Sequence, residues 1–201
     1  GLARATNDPC FAHATLGETM SLITHTELVQ LVADGVLTGV DPEHINAASI
    51  DITLGSTIFI EASPHGGYDR VDLKAKETPH MEPVVIHGYY DLAPGQFCLA
   101  STQEIFNMPN DITAEFRLKS SGARAGLDAA LAMWVDAGFT GANLTLELVN
   151  NLKYHHLRLR PGLKVGQIIF WRGTPVPDHA SYAVKGQYNN ELGTVPSKGI
   201  R

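Results

Sequence analysis

The chain has 201 residues, of which 44% are hydrophobic and 18% are charged, and its formal net charge is −6. This length and apolar content suit one globular domain with a substantial core. An acidic chain lacks the general affinity for nucleic acid or anionic membranes that a basic surface supplies, so we expect neither as a partner. Any anion would have to be captured by a local cluster of basic side chains.

The cysteine content and the apolar runs indicate the cellular compartment of the protein. Cys10 and Cys98 are too few for a disulfide framework, which favours a reduced, cytoplasmic protein. The longest apolar stretch, LDAALAMWV at 127–135, is too short for a transmembrane helix and contains Asp128. No basic segment followed by an apolar run opens the chain, so we predict no secretory signal.

The first 35 residues divide into an unpatterned part and a helix. Residues 1–19 show no hydrophobic periodicity, and we interpret them as an N-terminal extension or as residues added to a protein that naturally starts at Met20. The alternative is an arm that packs on a neighbouring subunit. The segment THTELVQLVADG then predicts a short helix, because Thr24 and Glu27 have the spacing of a capping box and Gly35 is a typical stop.

Short strands are predicted after this helix. Ile50, Ile52 and Leu54 alternate with polar residues, and further apolar runs are separated by turn signals rich in Gly and Pro. Those runs lie at 83–86, 97–101, 113–118, 143–149 and 165–171. The pattern favours an all-β barrel or sandwich with one short N-terminal helix. We predict a β domain at 20–180 and a flexible tail, rich in Gly, Asn, Pro and Ser, at 181–201.

The segment RLKSSGARAGL at 117–127 concentrates basic and small residues. Lys119 and Arg124 flank Ser120 and Ser121, and small residues allow backbone N–H groups to approach an anion. The segment is therefore a candidate phosphate-binding turn, although it lacks the P-loop pattern GxxxxGK[ST]. An ordinary polar loop is the alternative.

A strand with a glutamate on its polar face is the second candidate. Leu144, Leu146 and Leu148 share one face of the predicted strand, and Glu147 lies on the other. If another chain covers that face, loss of water would raise the pKa of Glu147 toward a range useful for general acid–base catalysis. A solvated strand glutamate is the alternative. Neither HExxH nor the HxE and PCxxC pair of zinc deaminases is present, so we predict no zinc site.

Five motifs in order support a family assignment. They are INAASIDITLG (45–55), LAPGQFCLASTQE (92–104), KSSGARAGL (119–127), VDAGFTGANLTLELVN (135–150) and LRPGLKVGQIIF (159–170). Together they resemble the dCTP deaminase family, which shares the dUTPase-like β fold. The resemblance runs from about Met20 to Ser197 and implies a distorted β-barrel or jelly roll that assembles as a homotrimer.

The resemblance also implies residue roles for deamination. Lys119, Ser120, Ser121 and Arg124 would bind the nucleotide phosphates, partly across a subunit interface, and Glu147 would be the catalytic carboxylate. Glu147 would take a proton from the water that attacks C4 of cytosine. Ser120 and a backbone carbonyl near Ala132 would place that water.

A second reaction is implied by Asp136. In related dUTPases an aspartate at this place holds the sugar and activates a water that attacks the α-phosphate, so the chain resembles members that convert dCTP through dUTP to dUMP. Magnesium would arrive bound to the triphosphate, and we predict no protein ligands for it. The remaining predicted substrate-binding residues are Trp134, Gln167, Tyr182, Lys185, Gln187 and Glu191.

Departures from the family pattern leave three functions open. The segment DAALAMWVD at 128–136 is one residue shorter than the pattern and has Leu131 in place of Thr or Ser. Gln187 and Glu191 replace a lysine and a glutamine, and Lys119 replaces an arginine. The chain is therefore expected to be a dCTP deaminase, with or without dUTP hydrolysis. The alternatives are a dUTP pyrophosphatase without deaminase activity and a non-catalytic nucleotide-binding protein.

Overall fold

The computed structural model of the protein describes residues 20–63, 69–130 and 132–200. Residues 1–19, 64–68, Leu131 and Arg201 lie outside this part. The strands are β1 Ser21–Leu22, β2 Leu37–Thr38, β3 Ile50–Thr53, β4 Thr57–Glu61, β5 Met81–Val85, β6 Tyr90–Leu92, β7 Phe97–Asn107, β8 Ile112–Leu118, β9 Leu127–Ala129, β10 Trp134–Val135, β11 Thr140–Asn150, β12 Leu157–Leu159 and β13 Lys164–Arg172. The helices are α1 His25–Ala33, α2 Ser120–Arg124 and α3 Tyr182–Lys185.

The strands form antiparallel sheets. One sheet has the order β1-β13-β8-β10, with β3 also paired to β13, and a second has the order β5-β4-β7-β11-β9, with β2 paired to β7. A small third sheet joins β6 to β12. Side chains from both larger sheets fill one core, among them Ile50, Ile52, Ile58, Phe106, Phe116, Leu146, Leu148, Ile168 and Phe170. The predicted mainly-β class is confirmed.

Helix α1 begins and ends where the sequence predicts. Thr24 is its N-cap residue, and Gly35 follows the helix with a φ of +77°, a conformation that glycine adopts without strain. The predicted capping box is wrong in detail, because the Thr24 side chain makes no capping hydrogen bond. Glu27 accepts a hydrogen bond from Arg172 of β13 instead, at 2.9 Å. The helix therefore attaches to the sheet through its first turn.

Strand β11 follows the predicted alternation except at one point. Leu146 and Leu148 are buried, as expected, whereas Leu144 is only half-buried. The reason is a shift in the register between β11 and β7 from Asn143 to Thr145, where the Leu144 N–H donates to the Thr102 hydroxyl at 3.1 Å. This bulge turns Leu144 toward the same cavity that Glu147 lines.

The segment after β13 returns along the beginning of β11. The Asn190 N–H donates to the Thr140 carbonyl at 2.9 Å, and the Asn143 N–H donates to the Glu191 carbonyl at 3.1 Å. Gly138 lies beneath this segment with a φ of +87°, and a Cβ there would lie 2.0 Å from the Ser181 hydroxyl. Any larger residue at 138 would therefore push the tail away from the sheet. None of the helices in the described residues is long and apolar enough to cross a membrane.

Candidate active site

A cavity of about 500 Å³ lies between β11 and the tail, and we call it the carboxylate pocket. It is named for Asp136, Glu147 and Glu191, and the described residues that line it include no lysine or arginine. Its other lining residues include Met81, Leu99, Ala132, Trp134, Phe139, Leu144, Tyr182, Tyr188 and Ser197. The wall can thus hold an apolar ring and accept protons, but it offers no cation to a phosphate.

Glu147 is fixed in this pocket by the ladder of β11. Its backbone lies opposite Leu99 of β7, and its carbonyl accepts a hydrogen bond from the Ala130 N–H at 2.8 Å. Loss of water raises the pKa of the Glu147 carboxyl above its ordinary value, and a hydrogen bond from its own backbone N–H lowers that pKa by less. A carboxyl with a raised pKa accepts a proton more readily than an ordinary carboxylate and can return it later in the reaction.

The segment that leads from β9 to β10 brings three predicted site residues to the same pocket. Ala132, Trp134 and Asp136 all line it. Trp134 lies opposite Glu115 of β8, and its indole N–H donates to the Oδ1 atom of Asp136 at 3.0 Å. Leu131, which departs from the family pattern, lies outside the described residues.

The tail supplies the outer wall of the pocket. Tyr182 packs edge-on against Phe139, with 5.6 Å between the ring centroids, and burial raises the pKa of its phenol. Glu191 forms an ion pair with Lys198, whose ammonium also donates to the Gln187 carbonyl at 2.9 Å. Tyr188, which lines the pocket, and Lys198 were not among the residues predicted from the sequence. The only signal for Lys198 was its position seven residues after Glu191.

Two predicted tail residues lie outside the carboxylate pocket. A smaller cavity of about 260 Å³ is lined by Asp136, Tyr182 and Lys185 among others, so Asp136 borders both cavities. Gln187 lines neither cavity. Lys185 therefore lies beside the same small cavity as Asp136, whereas the backbone carbonyl of Gln187 accepts a hydrogen bond from Lys198.

The predicted phosphate-binding residues lie on a separate surface, which we call the basic face. It consists of Lys119, Ser120, Ser121, Arg124 and Gln167, and none of them lines either cavity. The predicted turn is instead helical, because residues Ser120–Arg124 form the short helix α2, and phosphate binding by this segment stays a prediction. The side chains of that helix are nevertheless exposed, Arg124 among them.

Lys119 already forms an ion pair within the chain. Its ammonium donates to both carboxylate oxygens of Asp51, at 2.7 and 2.9 Å, and the Asp51 side chain is only 6% exposed. Gln167 accepts a hydrogen bond from the Ser49 hydroxyl at 2.9 Å in the same neighbourhood. Arg124, by contrast, forms no ion pair with any residue that the structure describes. The charge that is ready to meet a phosphate is therefore that of Arg124.

The remaining ionisable groups offer no obvious metal site. Within the ranges that the structure describes, no group of three or more His, Cys, Asp or Glu side chains is arranged to hold a metal ion. Cys98 is buried, and burial raises the pKa of its thiol to about 12, so it is a core residue and not a thiolate nucleophile.

Comparisons with known proteins agree on one family. A family model described as dCTP deaminase-like matches residues 22–173. The dCTP deaminase, dUMP-forming, of Aquifex aeolicus is 35% identical over 158 residues, which cover 79% of this chain and 82% of that protein. The protein of the same name from Acidothermus cellulolyticus is 34% identical over 167 residues, with coverages of 79% and 83%. The crystal structure of 2′-deoxycytidine 5′-triphosphate deaminase from Agrobacterium tumefaciens shares the fold, with a TM-score of 0.60 at 23% identity. The match covers 77% of this chain, which spans about half of that longer chain (49%). The chain therefore belongs to the dCTP deaminase-like family.

Proposed function

We propose that the protein deaminates dCTP to dUTP and ammonia and then hydrolyses dUTP to dUMP. The observation that carries this proposal is the partly buried carboxylate of Glu147, with its raised pKa, in a pocket that Asp136 also lines and whose wall is mainly apolar and aromatic. The names of the relatives from Aquifex aeolicus and Acidothermus cellulolyticus, both dUMP-forming dCTP deaminases, support the same two steps.

In the first step Glu147 acts as the general base and then as the general acid. Glu147 removes a proton from a water whose oxygen bonds to C4 of the cytosine ring, and it delivers that proton to ring N3. It then takes the proton of the new C4 hydroxyl and delivers it to the amine, while the C4 carbonyl forms. The C4–N bond then breaks, and ammonia departs. The raised pKa of Glu147 supports both transfers, since the carboxyl must accept a proton and later release it. The carbonyl of Ala132, on the segment that borders Glu147, would orient the water.

In the second step Asp136 activates a water for attack on the α-phosphorus of dUTP. The water oxygen bonds to phosphorus, the bond to the bridging oxygen breaks, and pyrophosphate leaves while the proton passes to Asp136. Asp136 borders both cavities, which supports a place between the base site and the phosphates. Magnesium would enter bound to the nucleotide phosphates, as part of the substrate.

The phosphates would be bound by a neighbouring copy of the chain. The carboxylate pocket has no lysine or arginine among its described lining residues, and the exposed Arg124 lies on another surface of the same chain. A triphosphate placed near Glu147 therefore needs cations from elsewhere. We infer a homotrimer in which Ser120, Ser121 and Arg124 of one subunit complete the pocket of the next, with Ser120 contributing to the placement of the water.

A product assay tests both steps. Purified protein is incubated with dCTP and magnesium, then with dUTP, while nucleotides are separated by chromatography and ammonia is followed in parallel. We expect ammonia together with dUMP from dCTP, and dUMP from dUTP. Release of ammonia with dUTP as the end product would exclude the proposed second step. If dCTP and dUTP both remain intact, the proposed enzyme activity is wrong, and a nucleotide-binding protein without catalysis is favoured.

A dUTP pyrophosphatase without deaminase activity is the second candidate. The shortened segment 128–136 favours it, since the family has a hydroxyl where this chain has Leu131. Loss of one hydrogen bond to a buried polar group costs about 1–3 kcal/mol. Cleavage of dUTP without any release of ammonia from dCTP would identify this candidate.

A further inference from the structure

The indole N–H of Trp134 is bonded to the carboxylate that we assign to dUTP hydrolysis. The distance from Nε1 to Oδ1 of Asp136 is 3.0 Å. Trp134 belongs to the two-residue strand β10, Asp136 directly follows that strand, and Val135 between them is 2% exposed. The hydrogen bond therefore joins two side chains that are close in the chain and that both line the carboxylate pocket.

This hydrogen bond contributes little to the fold. Trp134 is 56% exposed, and a hydrogen bond at an exposed site largely replaces one that water would make. An exposed tryptophan at the rim of a cavity, with its polar atom directed at a carboxylate, instead resembles a site prepared for a ligand. The indole ring and the Asp136 carboxylate both line the carboxylate pocket, so the contact stands where a nucleotide would bind.

We propose that Trp134 is a positioning residue for the dUTP-hydrolysing step. Its N–H occupies one lone pair of Oδ1 and restricts rotation of the Asp136 carboxylate, so that Oδ2 is held toward the water that attacks the α-phosphorus. In that step the water oxygen bonds to phosphorus, pyrophosphate leaves, and the proton passes to Oδ2. A base whose orientation is fixed before the reaction does not have to be ordered during it.

The proposal predicts an effect on one step more than on the other. Glu147 lies on β11 and receives no hydrogen bond from Trp134 in the described structure, so loss of the indole N–H does not disturb the general base of deamination. The ratio of the rate of dUTP cleavage to the rate of ammonia release should therefore fall. A purely structural role of the ring would lower both rates together.

The chain provides a matched control, because it has only two tryptophans. Trp171 lies on β13 opposite Thr113 of β8 and lines neither cavity. Trp134→Phe should lower the rate of dUTP cleavage about tenfold relative to ammonia release, as expected for loss of one hydrogen bond to a charged group, and dUTP should accumulate from dCTP. Trp171→Phe should leave the ratio of the two rates at the parent value. An unchanged ratio in Trp134→Phe would overturn the proposal.

A single-atom replacement separates the N–H from the ring. In the Trp171→Phe protein Trp134 is the only tryptophan, so growth of a tryptophan auxotroph on β-(3-benzothienyl)alanine replaces only the N–H of that residue by sulfur. The same fall in the ratio should appear. A normal ratio here, with a low ratio in Trp134→Phe, would assign the effect to ring packing and overturn the proposal.

This inference rests on the proposed dUTP hydrolysis, and the parent protein separates the two failures. If the parent forms no dUMP, then the second step itself is wrong and the positioning role falls with it. If the parent forms dUMP and Asp136→Asn does not, the second step stands, and the two Trp134 replacements alone decide the role of the indole.

Discussion

The carboxylate pocket and the basic face are opposite in charge, and each lacks what the other has. The pocket holds Asp136, Glu147 and Glu191 with no cation among its described lining residues, whereas the basic face exposes Arg124 on a short helix that borders neither cavity. A pocket without cations protects a proton-transferring carboxylate from losing its raised pKa to a nearby positive charge. The separation therefore favours acid–base chemistry in the pocket, and it supports the proposal that a neighbouring chain contributes to phosphate binding.

The largest effect should come from the acid–base residue of the pocket. Glu147→Gln removes proton transfer but keeps the shape of the side chain, so the rate of ammonia release should fall about a thousandfold, within the usual range for general acid–base catalysis. The nucleotide should still bind with nearly unchanged affinity in a calorimetric titration. Glu61→Gln, at an exposed strand end, is the matched control and should have the parent rate. Undiminished ammonia release from Glu147→Gln would remove this residue from the mechanism.

On the basic face the largest effect should come from Arg124. Arg124→Gln should lower kcat/KM for dCTP about 100-fold, because the variant loses a charge-assisted contact to a phosphate. Steady-state rates of ammonia release at several dCTP concentrations measure this effect. A parent-like kcat/KM would place the phosphates elsewhere.

A mixture of the two inactive variants tests whether one site uses both regions. If each site takes Glu147 from one subunit and Arg124 from its neighbour, every trimer that contains both Glu147→Gln and Arg124→Gln chains has about a third of its sites intact. Coexpression with two affinity tags followed by an activity assay would measure the recovery. No recovery in a purified mixed trimer would show that both residues serve the same chain's site, and the inferred sharing would be wrong.

Substitution of Lys119 should have a different effect from substitution of Arg124, although both basic residues flank the same two serines in the sequence. Lys119→Gln leaves the nearly buried Asp51 carboxylate without its main partner, and we expect a loss of about 2 kcal/mol of unfolding free energy. The loss is smaller than for a fully buried pair because the Lys119 side chain is 32% exposed. Denaturant unfolding measures it, and Asp51→Asn in the same chain should restore most of the loss. A large loss of nucleotide affinity without loss of stability would return Lys119 to the phosphate site.

The Lys119 case shows where sequence reasoning stops. Local pattern was sufficient for α1, for the strand that carries Glu147, and for the mainly-β class, because each depends on periodicity and on capping or turn residues close in the chain. The pairing of Lys119 with Asp51 joins residues 68 positions apart, and the bulge at Leu144 depends on the register with β7, so neither has a local signal. The contact of Trp134 with Asp136 could have been predicted, since the two residues are only two positions apart in the chain.

A smaller effect is expected where the tail meets the pocket. Lys198 neutralises Glu191 in the pocket wall, so Lys198→Gln exposes a substrate of several negative charges to an unpaired carboxylate. The KM for dCTP should rise severalfold, in the range of a partly exposed ion pair, and Lys198→Gln combined with Glu191→Gln should return toward the parent value. Steady-state kinetics at low and high salt measure this, since salt screens the repulsion. A KM that is insensitive to both changes would place the phosphates away from this part of the tail.

The smallest effect concerns the stability of the pocket itself. The pKa of Glu147 is raised in the folded protein, so the folded protein holds the proton of this carboxyl more tightly than the unfolded chain does. The stability that this residue contributes is present below the unfolded pKa and is lost as the pH rises through the folded pKa. Glu147→Gln cannot ionise and does not incur that loss. Its melting temperature should therefore exceed the parent's by about 2 °C at pH 7, and the difference should vanish near pH 4. An equal difference at both pH values would mean that packing, and not ionisation, distinguishes the two side chains, and the desolvated carboxylate would no longer set the pocket apart from the basic face.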